Sequence, residues 1–367
     1  MTSSALCPVC GQPGRSLYVA LVDQLHGTPG HWEMWRCAHG CEHQWLHPQP
    51  DQKTLERAYQ TYYTHQSVTP PRLKGLYESM RQAYLARRFG YGSTRTSLVT
   101  RLGAGIISLI PHRRVAFDAS VLWQKPLRAG RLLELGCGNG ERLARLSTLG
   151  WSVVGVEADP QAAELAASHG LQVINGDALA QDFPPDSFDA IIMSHVIEHV
   201  RDPEGLIAHC RSWLKAGGQL TLLTPNLSSL GHRLFRKHWL HLDPPRHLHI
   251  FSQQSLTAMC LRAGFSDVAS STSFRDANWT LAASVRLRGG KAYRVGQLPL
   301  HLRLLGLAML YVEWLGMKIR PDVGEEVLLF ARKPAPSWQE ITPINANGIQ
   351  GNESTVMMSL TNHCALQ

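Results

Sequence analysis

Long apolar runs are missing from this sequence. No 18 apolar residues follow one another without interruption, although apolar residues make up 44% of the 367 positions. A sizeable core is therefore expected and a membrane-spanning helix is not. The first residues, Met1 to Cys7, lack both a basic cluster and an apolar stretch, which argues against a secretory leader. The expected location is the cytoplasm, where disulfides are rare. Cysteine is scarce beyond residue 41, since four of the eight are Cys7, Cys10, Cys37 and Cys41. Acidic residues nearly vanish between Arg72 and Arg131, where Glu78 and Asp118 alone oppose twelve Lys/Arg, so the net charge of +8 is concentrated there. Such a stretch suits an anionic partner (substrate phosphates, a membrane surface or RNA), or is simply a solvated helical face.

Beyond these gaps the chain is ordered by alternation. Residues 51–120 are mostly helical in pattern, with recurring tyrosines and a break at Gly90 to Gly92. Short apolar strands are expected at 131–135, 152–156, 171–174 and 188–193. Helices are expected at 141–149 and 161–169, and from Asp202-Pro203 to about Lys215. Asp159-Pro160 and Asp202-Pro203 are helix openings, an N-cap followed by proline at the first turn. Gly217-Gly218 turns into a strand at 219–223. Alternation of this kind implies an α/β fold with a doubly wound, mostly parallel sheet. Residues 227–250 look like an inserted loop or lid, and 255–263 like a helix stopped by Gly264. A second insertion, 275–322, contains an apolar helix at 302–317, and 325–332 reads as a late edge strand. The expected domains are a module at 1–50, a basic helical linker or cap at 51–120, an α/β domain at 121–333 and a disordered tail at 334–367.

The most informative segment is Glu134-Leu-Gly-Cys-Gly-Asn-Gly140, directly after the first strand of the alternating part. Glycines let a backbone turn tightly and approach a ligand, and ligands bind at the carboxyl ends of such strands. A dinucleotide loop requires Gly-x-Gly-x-x-Gly, but Glu141 stands at the last position. The Glu134 carboxylate would also repel a pyrophosphate. It suits a cation, and S-adenosylmethionine carries an ammonium and a sulfonium. Glu157 ends the next strand, where an acid can accept both ribose hydroxyls. Asp177 follows the third strand.

Residues 131–224 resemble class I methyltransferases, in particular the ubiquinone-biosynthesis O-methyltransferase-like group. The pieces that carry the resemblance are the 134–140 loop, Val154-Gly-Val-Glu157, Asn175-Gly-Asp-Ala178, Phe188-Asp-Ala-Ile191 and His195-Val-Ile-Glu-His199. The resemblance implies that Glu134, Gly136, Cys137, Gly138 and Gly140 face the methionine part of the cofactor, with Ser194 beside them. It implies that Glu157 holds the ribose and that Asp177 and Ala178 flank the adenine. It also accounts for an absence. No Asn/Asp-Pro-Pro-Tyr/Phe tetrapeptide follows the fourth strand, and in this superfamily that motif marks methylation of exocyclic amines, so O- or C-methylation is expected.

Histidine suits removal of an acceptor proton near neutral pH. His195, His199 and His247 are the candidate catalytic residues, with His241 and His249 near them in the sequence 241–249. His195, Glu198 and His199 lie at i, i+3 and i+4, one face of a helix. They are similar to the Glu-x-x-Glu-His cluster of methyltransferases that use a divalent ion, except that histidine takes the first place. The alternative is that Glu198 and His199 only orient the loop by hydrogen bonds.

Cys7-Pro-Val-Cys10 and Cys37-Ala-His-Gly-Cys41 read as a zinc ribbon with four thiolate ligands and a structural role. The wider second spacing leaves His39 or His43 as substitutes. The ribbon, Pro48-Gln-Pro50 and the tyrosine-rich helix together resemble bacterial methyltransferases acting on sugars or other secondary metabolites. The expected partner is then a small-molecule or glycan/lipid-linked acceptor. Two other functions fit the same residues: RNA methylation, with residues 72–131 tracking phosphates, and a non-catalytic, cofactor-binding partner subunit. Residues 72–131 would also suit an anionic membrane surface, with the protein peripheral to its inner face.

Overall fold

The structure, a computed structural model, describes residues 5–59, 74–92, 97–291 and 298–335. Nearly all of the expected tail lies outside the described residues. The chain begins with β1 (Gly14–Leu21), β2 (Trp32–Cys37) and β3 (Gln44–His47), then α1 (Gln52–Tyr59), α2 (Lys74–Phe89), α3 (Leu98–Ser108) and α4 (Pro111–Ala119). The alternating part runs β4 (Arg131–Leu135), α5 (Glu141–Thr148), β5 (Ser152–Glu157), α6 (Pro160–Ser168), β6 (Val173–Asn175), β7 (Phe188–Ser194), α7 (Pro203–Trp213) and β8 (Leu214–Pro225). It continues through α8 (Leu230–Phe235), β9 (His249–Ile250), α9 (Gln253–Arg262), β10 (Ser266–Ser273), α10 (Ala277–Arg288), α11 (Leu300–Ile319) and β11 (Glu326–Arg332).

Local chemistry explains the boundaries. Asp159 accepts from the Gln161 N–H at 2.9 Å with Pro160 in the first turn, which opens α6. Asp202 does the same for Gly205 at 2.9 Å, with Pro203, which opens α7. Ser252 and Ser255 form a reciprocal capping box at the start of α9, satisfying two N–H groups that the helix leaves unpaired.

The large sheet has the order β10-β11-β8-β7-β4-β5-β6. Strands β6, β5, β4, β7 and β8 are parallel neighbours, and β11 is antiparallel to both β8 and β10. The chain moves outward from β4 through β5 to β6, then returns to β7 on the other side of β4. That switch point opens a crevice at the carboxyl ends of β4 and β7, where such sheets bind ligands. Alternation along β4 supplies both layers. Leu132 packs with Tyr84, Leu85 and Phe117 of the preceding helices, whereas Leu133 packs with Leu206, Ile207, Leu256 and Met259 of α7 and α9.

Four expectations change. The strand near the C-terminus is not an edge. β11 lies between β8 and β10, and Glu326 to Leu329 are buried. The true edge is β10, whose sequence Ser-Asp-Val-Ala-Ser-Ser-Thr-Ser exposes alternate residues and so reads as a loop. Within the stretch 51–120, expected as a linker or cap, α2 and α4 form part of one sheet-covering layer, but its cations do not form one solvated face, since Arg81 is turned onto Glu78 with a side chain only 13% exposed. Residues 227–250 are largely buried rather than a loose lid, and their β9 is the fourth strand of the N-terminal sheet, Trp45 pairing with His249. Residues 275–322 hold two helices, α10 and α11, and α11 is long and apolar enough to cross a membrane by length and composition. The described residues up to Pro334 form one compact unit by contact.

Candidate functional site

Glu134, one residue before the end of β4, is fully buried, and its Oε1 accepts from Arg142 Nη1 at 2.7 Å. Burial raises its pKa, and the Arg142 guanidinium pulls the other way. Arg142 Nη2 also reaches Ser194 Oγ at 3.4 Å. Glu134 Oε2 and Arg142 Nε are both buried without a hydrogen-bond partner. They border a cavity of about 410 Å³ that is also lined by Gly136, Cys137, Gly138 and Ser194. An unmatched carboxylate oxygen beside an unmatched guanidinium N–H is the complement of an amino-acid zwitterion.

The glycines have separate reasons. Gly136 has φ +69, and a Cβ there would strike Val196, while Gly138 has φ +55 and faces open space. Gly140, at φ +75, begins α5 where a Cβ would meet Leu171 and Ala166. Cys137 is a buried wall of the loop, its sulfur set against Gly155. Glu157 accepts from the Gly138 N–H at 2.7 Å and from the Asp159 N–H at 3.0 Å. Burial raises its pKa against those two bonds. β5 and β6 pair Glu157 with Asn175, so exposed Asp177 and buried Ala178 follow at the neighbouring strand end. Asp177 accepts from the Leu179 N–H at 2.8 Å.

The histidines divide into two groups. His195 leaves β7 with φ +56, a conformation disfavoured for a side-chain-bearing residue. Its Nδ1 lies 3.2 Å from Glu198 and its Nε2 2.8 Å from Glu326. Burial opposes its charge, but the hydrogen bonds with Glu198 and Glu326 outweigh it and raise the pKa to about 9. A charged imidazole has no lone pair with which to take a proton, so the two carboxylates do not favour His195 as the base, while Arg275 Nη2 also lies 3.0 Å from its Nε2. Nor do His195, Glu198 and His199 share a regular α-helical face, because only Ile197–His199 forms a short 3-10 turn.

His199 and His247 fit better. His199 Nδ1 lies 3.0 Å from the Arg246 carbonyl and 2.9 Å from Tyr59 Oη. His247 Nδ1 lies 2.6 Å from the His241 carbonyl. A carbonyl only accepts, so each Nδ1 carries a hydrogen. Burial, with nearby His247, lowers the His199 pKa to about 4, leaving it neutral. Glu198, fully buried, accepts from Thr224 Oγ1 at 2.9 Å. One ligand atom from each of Glu198, His199 and His247 lies within 4.8 Å of the others. The cluster capable of holding a cation thus contains His247 in place of the expected His195. His241 and His249 are turned elsewhere, towards Thr280 at 3.1 Å and His43 at 3.1 Å.

The four N-terminal sulfurs converge as expected. Cys7 and Cys41, and Cys10 and Cys37, are 3.5 Å apart, Cys10 and Cys41 are 3.4 Å apart, and all four sulfurs lie within 4.8 Å of one another. A tetrahedron with zinc–sulfur bonds of about 2.3 Å has edges of about 3.8 Å, so the set needs little adjustment. Gly11 and Gly40, at φ +69 and +87, supply the tight turns. His43 is not a substitute ligand, since its buried ring bonds His249. His39 enters only through its backbone, whose N–H donates to Cys37 Sγ at 3.4 Å.

Residue reading missed Arg142, Arg275, Glu326 and Arg246. Arg275 donates to Glu326 Oε1 at 2.7 Å, where His195 also donates. Arg246, fully buried, joins Asp23 at 2.9 Å and Asp243. Only for Arg142 is there a signal in the sequence, a cation in the first turn of the helix that follows the glycine loop.

A parallel sheet in which β11 alone is reversed, a glycine turn at its switch point and acids at successive strand ends make up a class I, Rossmann-like methyltransferase fold. Comparison with known proteins agrees: residues 112–270 match the family described as "Methyltransferase domain". A ubiquinone biosynthesis O-methyltransferase of Cereibacter sphaeroides is 30% identical over 145 residues, which cover 37% of this chain and 59% of that protein. A second from the same species is 28% identical over 183 residues, 46% of this chain and 74% of that one. The chain spans only 59% of the first relative's length. Among solved structures, a Thermotoga maritima S-adenosylmethionine-dependent methyltransferase, described as a possible histamine N-methyltransferase, aligns with a TM-score of 0.41 and 20% identity. That alignment covers 69% of this chain and 99% of the other.

Proposed function

We propose that this protein transfers the methyl group of S-adenosylmethionine to a hydroxyl or carbon of a small-molecule or glycan/lipid-linked acceptor. The observation that carries the proposal is the pair of buried, unpartnered atoms of opposite polarity, Glu134 Oε2 and Arg142 Nε, at the rim of the switch-point cavity. In this reading Glu134 takes the cofactor's ammonium and Arg142 its carboxylate. Glu157 takes the ribose, and Asp177 with Ala178 the adenine edge. The bound cofactor supplies an electrophilic methyl carbon on its sulfonium. His199, held neutral by burial, accepts the acceptor's proton, and His247 stands beside it to orient the acceptor. His195 is a positioning residue: its charge fixes Glu198 and Glu326 around the site.

A second reading of the same histidines is favoured by the convergence of Glu198, His199 and His247 within 4.8 Å. These three would hold a divalent ion that orients the acceptor oxygen. Two backbone carbonyls already fix the imidazole tautomers, as outer-shell partners of metal-bound histidines do. The Cys7, Cys10, Cys37 and Cys41 set would hold a structural zinc, closed to substrate. The protein then works in the cytoplasm, at the inner face of the membrane if its acceptor is lipid-linked.

The test is direct. Titration with S-adenosylhomocysteine should show binding, and Glu134→Gln should weaken it about 10- to 100-fold, the range for a charged hydrogen bond. Absence of binding by the intact chain would overturn the proposal. Metal analysis of reduced protein should find about one zinc per chain. Loss of turnover on chelation, with that zinc retained, separates the divalent-ion reading from the proton-acceptor reading. Steep salt-dependent affinity for RNA would move the acceptor to RNA.

A further inference from the structure

α11 carries its apolar side chains on the outside. Leu300, Leu304, Leu307, Val312, Leu315 and Ile319 are between 37% and 84% exposed, and their spacing places them on one broad helical face. Only 17% of the helix's apolar window is buried, so this is not the core helix that its composition suggests. The opposite side is firmly held. Gly306 sits against the Asn278 carbonyl of α10, Leu310 is buried, and Glu313 accepts from the Glu325 N–H at 2.9 Å.

α3 has the same character. Leu98, Val99, Leu102, Ile106 and Leu109 are 60% or more exposed. His112, at the start of α4 just beyond α3, bonds Tyr311 in the middle of α11 at 3.0 Å. That bond ties α4, which follows α3 directly, to α11, and exposed apolar surface of this extent marks a contact with something else.

Charge decides what that contact is. The exposed charges on α3, α4 and α11 are all cationic: Arg101, Arg113, Arg114, Arg303 and Lys318. The two acids of these helices, Asp118 and Glu313, are buried. The nearest exposed acid beyond α11, Asp322, is already paired with Arg233 and Arg320. A second copy packed across a two-fold axis would set these cations against themselves. An anionic lipid surface complements both the charge and the apolar face.

We propose that α11 and α3 dock the protein on an anionic lipid bilayer, with α11 lying in the plane of the interface and its apolar face among the acyl chains. α11 does not span the bilayer, because its Gly306, Leu310 and Glu313 side stays packed on the protein. This docking needs no methyl transfer. It deepens the proposed function only where the acceptor is lipid-linked, and vesicle binding is measured without cofactor or acceptor.

Flotation of the full chain with vesicles of phosphatidylcholine containing phosphatidylglycerol, against phosphatidylcholine alone, tests it. The protein should float with the anionic vesicles. The double variant Leu304→Glu/Leu315→Glu should bind at least about tenfold more weakly with an unchanged circular dichroism spectrum and melting temperature. Arg101→Glu/Arg114→Glu, with the apolar face intact, should lose the preference for anionic over neutral vesicles. No flotation of the intact chain overturns the proposal. So does a dimer by light scattering that dissociates in the Leu304→Glu/Leu315→Glu variant, which would assign the face to a second copy.

Discussion

Glu134 was readable as a cation-binding acid from its place before a glycine turn, but its partner was not. Arg142 is eight residues on, and only the turn of the loop and the first turn of α5 bring the guanidinium back to 2.7 Å. His195, His199 and His247 show the same limit. Residue type made all three candidates for proton transfer, whereas their neighbours separate them. Two carboxylates favour the charged form of His195, and two backbone carbonyls fix the Nδ1 hydrogens of His199 and His247. His232 offers a clean test of what burial does to a histidine here. It is buried between the Leu227 carbonyl, 2.6 Å from Nδ1, and Tyr18 Oη, 3.1 Å from Nε2. Burial lowers its pKa from 6.5 to about 4. The unfolded chain binds this proton more readily, so its contribution to stability is full above pH 6.5 and is lost as pH falls towards 4. The loss is of order 3 kcal/mol at pH 4. Denaturant unfolding of wild type and His232→Gln across that range should give a shallower pH slope for the variant. Parallel slopes would contradict the assignment.

At the scale of elements, strands with strong apolar runs and helices with Asp-Pro openings were legible. Phe188, Ala190 to Met193 and Leu220 to Leu223 are buried between two layers and look so in the sequence. β10 was missed because an edge strand needs only half its residues apolar, and serines fill the rest. β11 was found but misplaced, since pairing partners are not written in a strand's own residues. The approach of α10 and α11 depends on one position. A methyl group on Gly306 would collide with the Asn278 carbonyl and also crowd Ala282. Alanine gains about 1 kcal/mol of helix propensity over glycine, but overpacking of this kind costs about 1–3 kcal/mol. Gly306→Ala should therefore lower the unfolding midpoint in urea, and an increase would show that the helices slide apart without penalty.

For the whole molecule, the unforeseen feature is how the N-terminal module is tied in. β9, from the supposed lid, completes its sheet, and the Leu46 N–H donates to the Leu248 carbonyl at 2.9 Å. The Leu248 N–H in turn donates to the Glu198 carbonyl at 2.8 Å, beside the histidine cluster. Arg246 fastens the same junction, its guanidinium shared by Asp23 from the module and Asp243 from the segment before β9. Its own pKa is raised by the two carboxylates against the cost of burial. Arg246→Met would leave both acids buried without a counter-charge, a loss of about 3–5 kcal/mol. Calorimetry should show the whole described unit melting earlier in a single transition. Separate early melting of the module would show that it is only loosely attached.

The sequence by itself determined the layers and the donor side of the site. Apolar periodicity decides strand against helix, and glycines at positive φ beside an acid at a strand end leave few alternatives, because both are local effects. It also brought four cysteines together, since thiolate pairs at short spacing have few other uses. Tertiary structure alone decided which imidazole is cationic, that His247 joins Glu198 and His199, that β9 belongs to the first sheet, and that α11 turns its leucines outward. Each of these depends on charges, carbonyls or packed faces many residues away, and a one-dimensional pattern does not carry the field or the contact that fixes them.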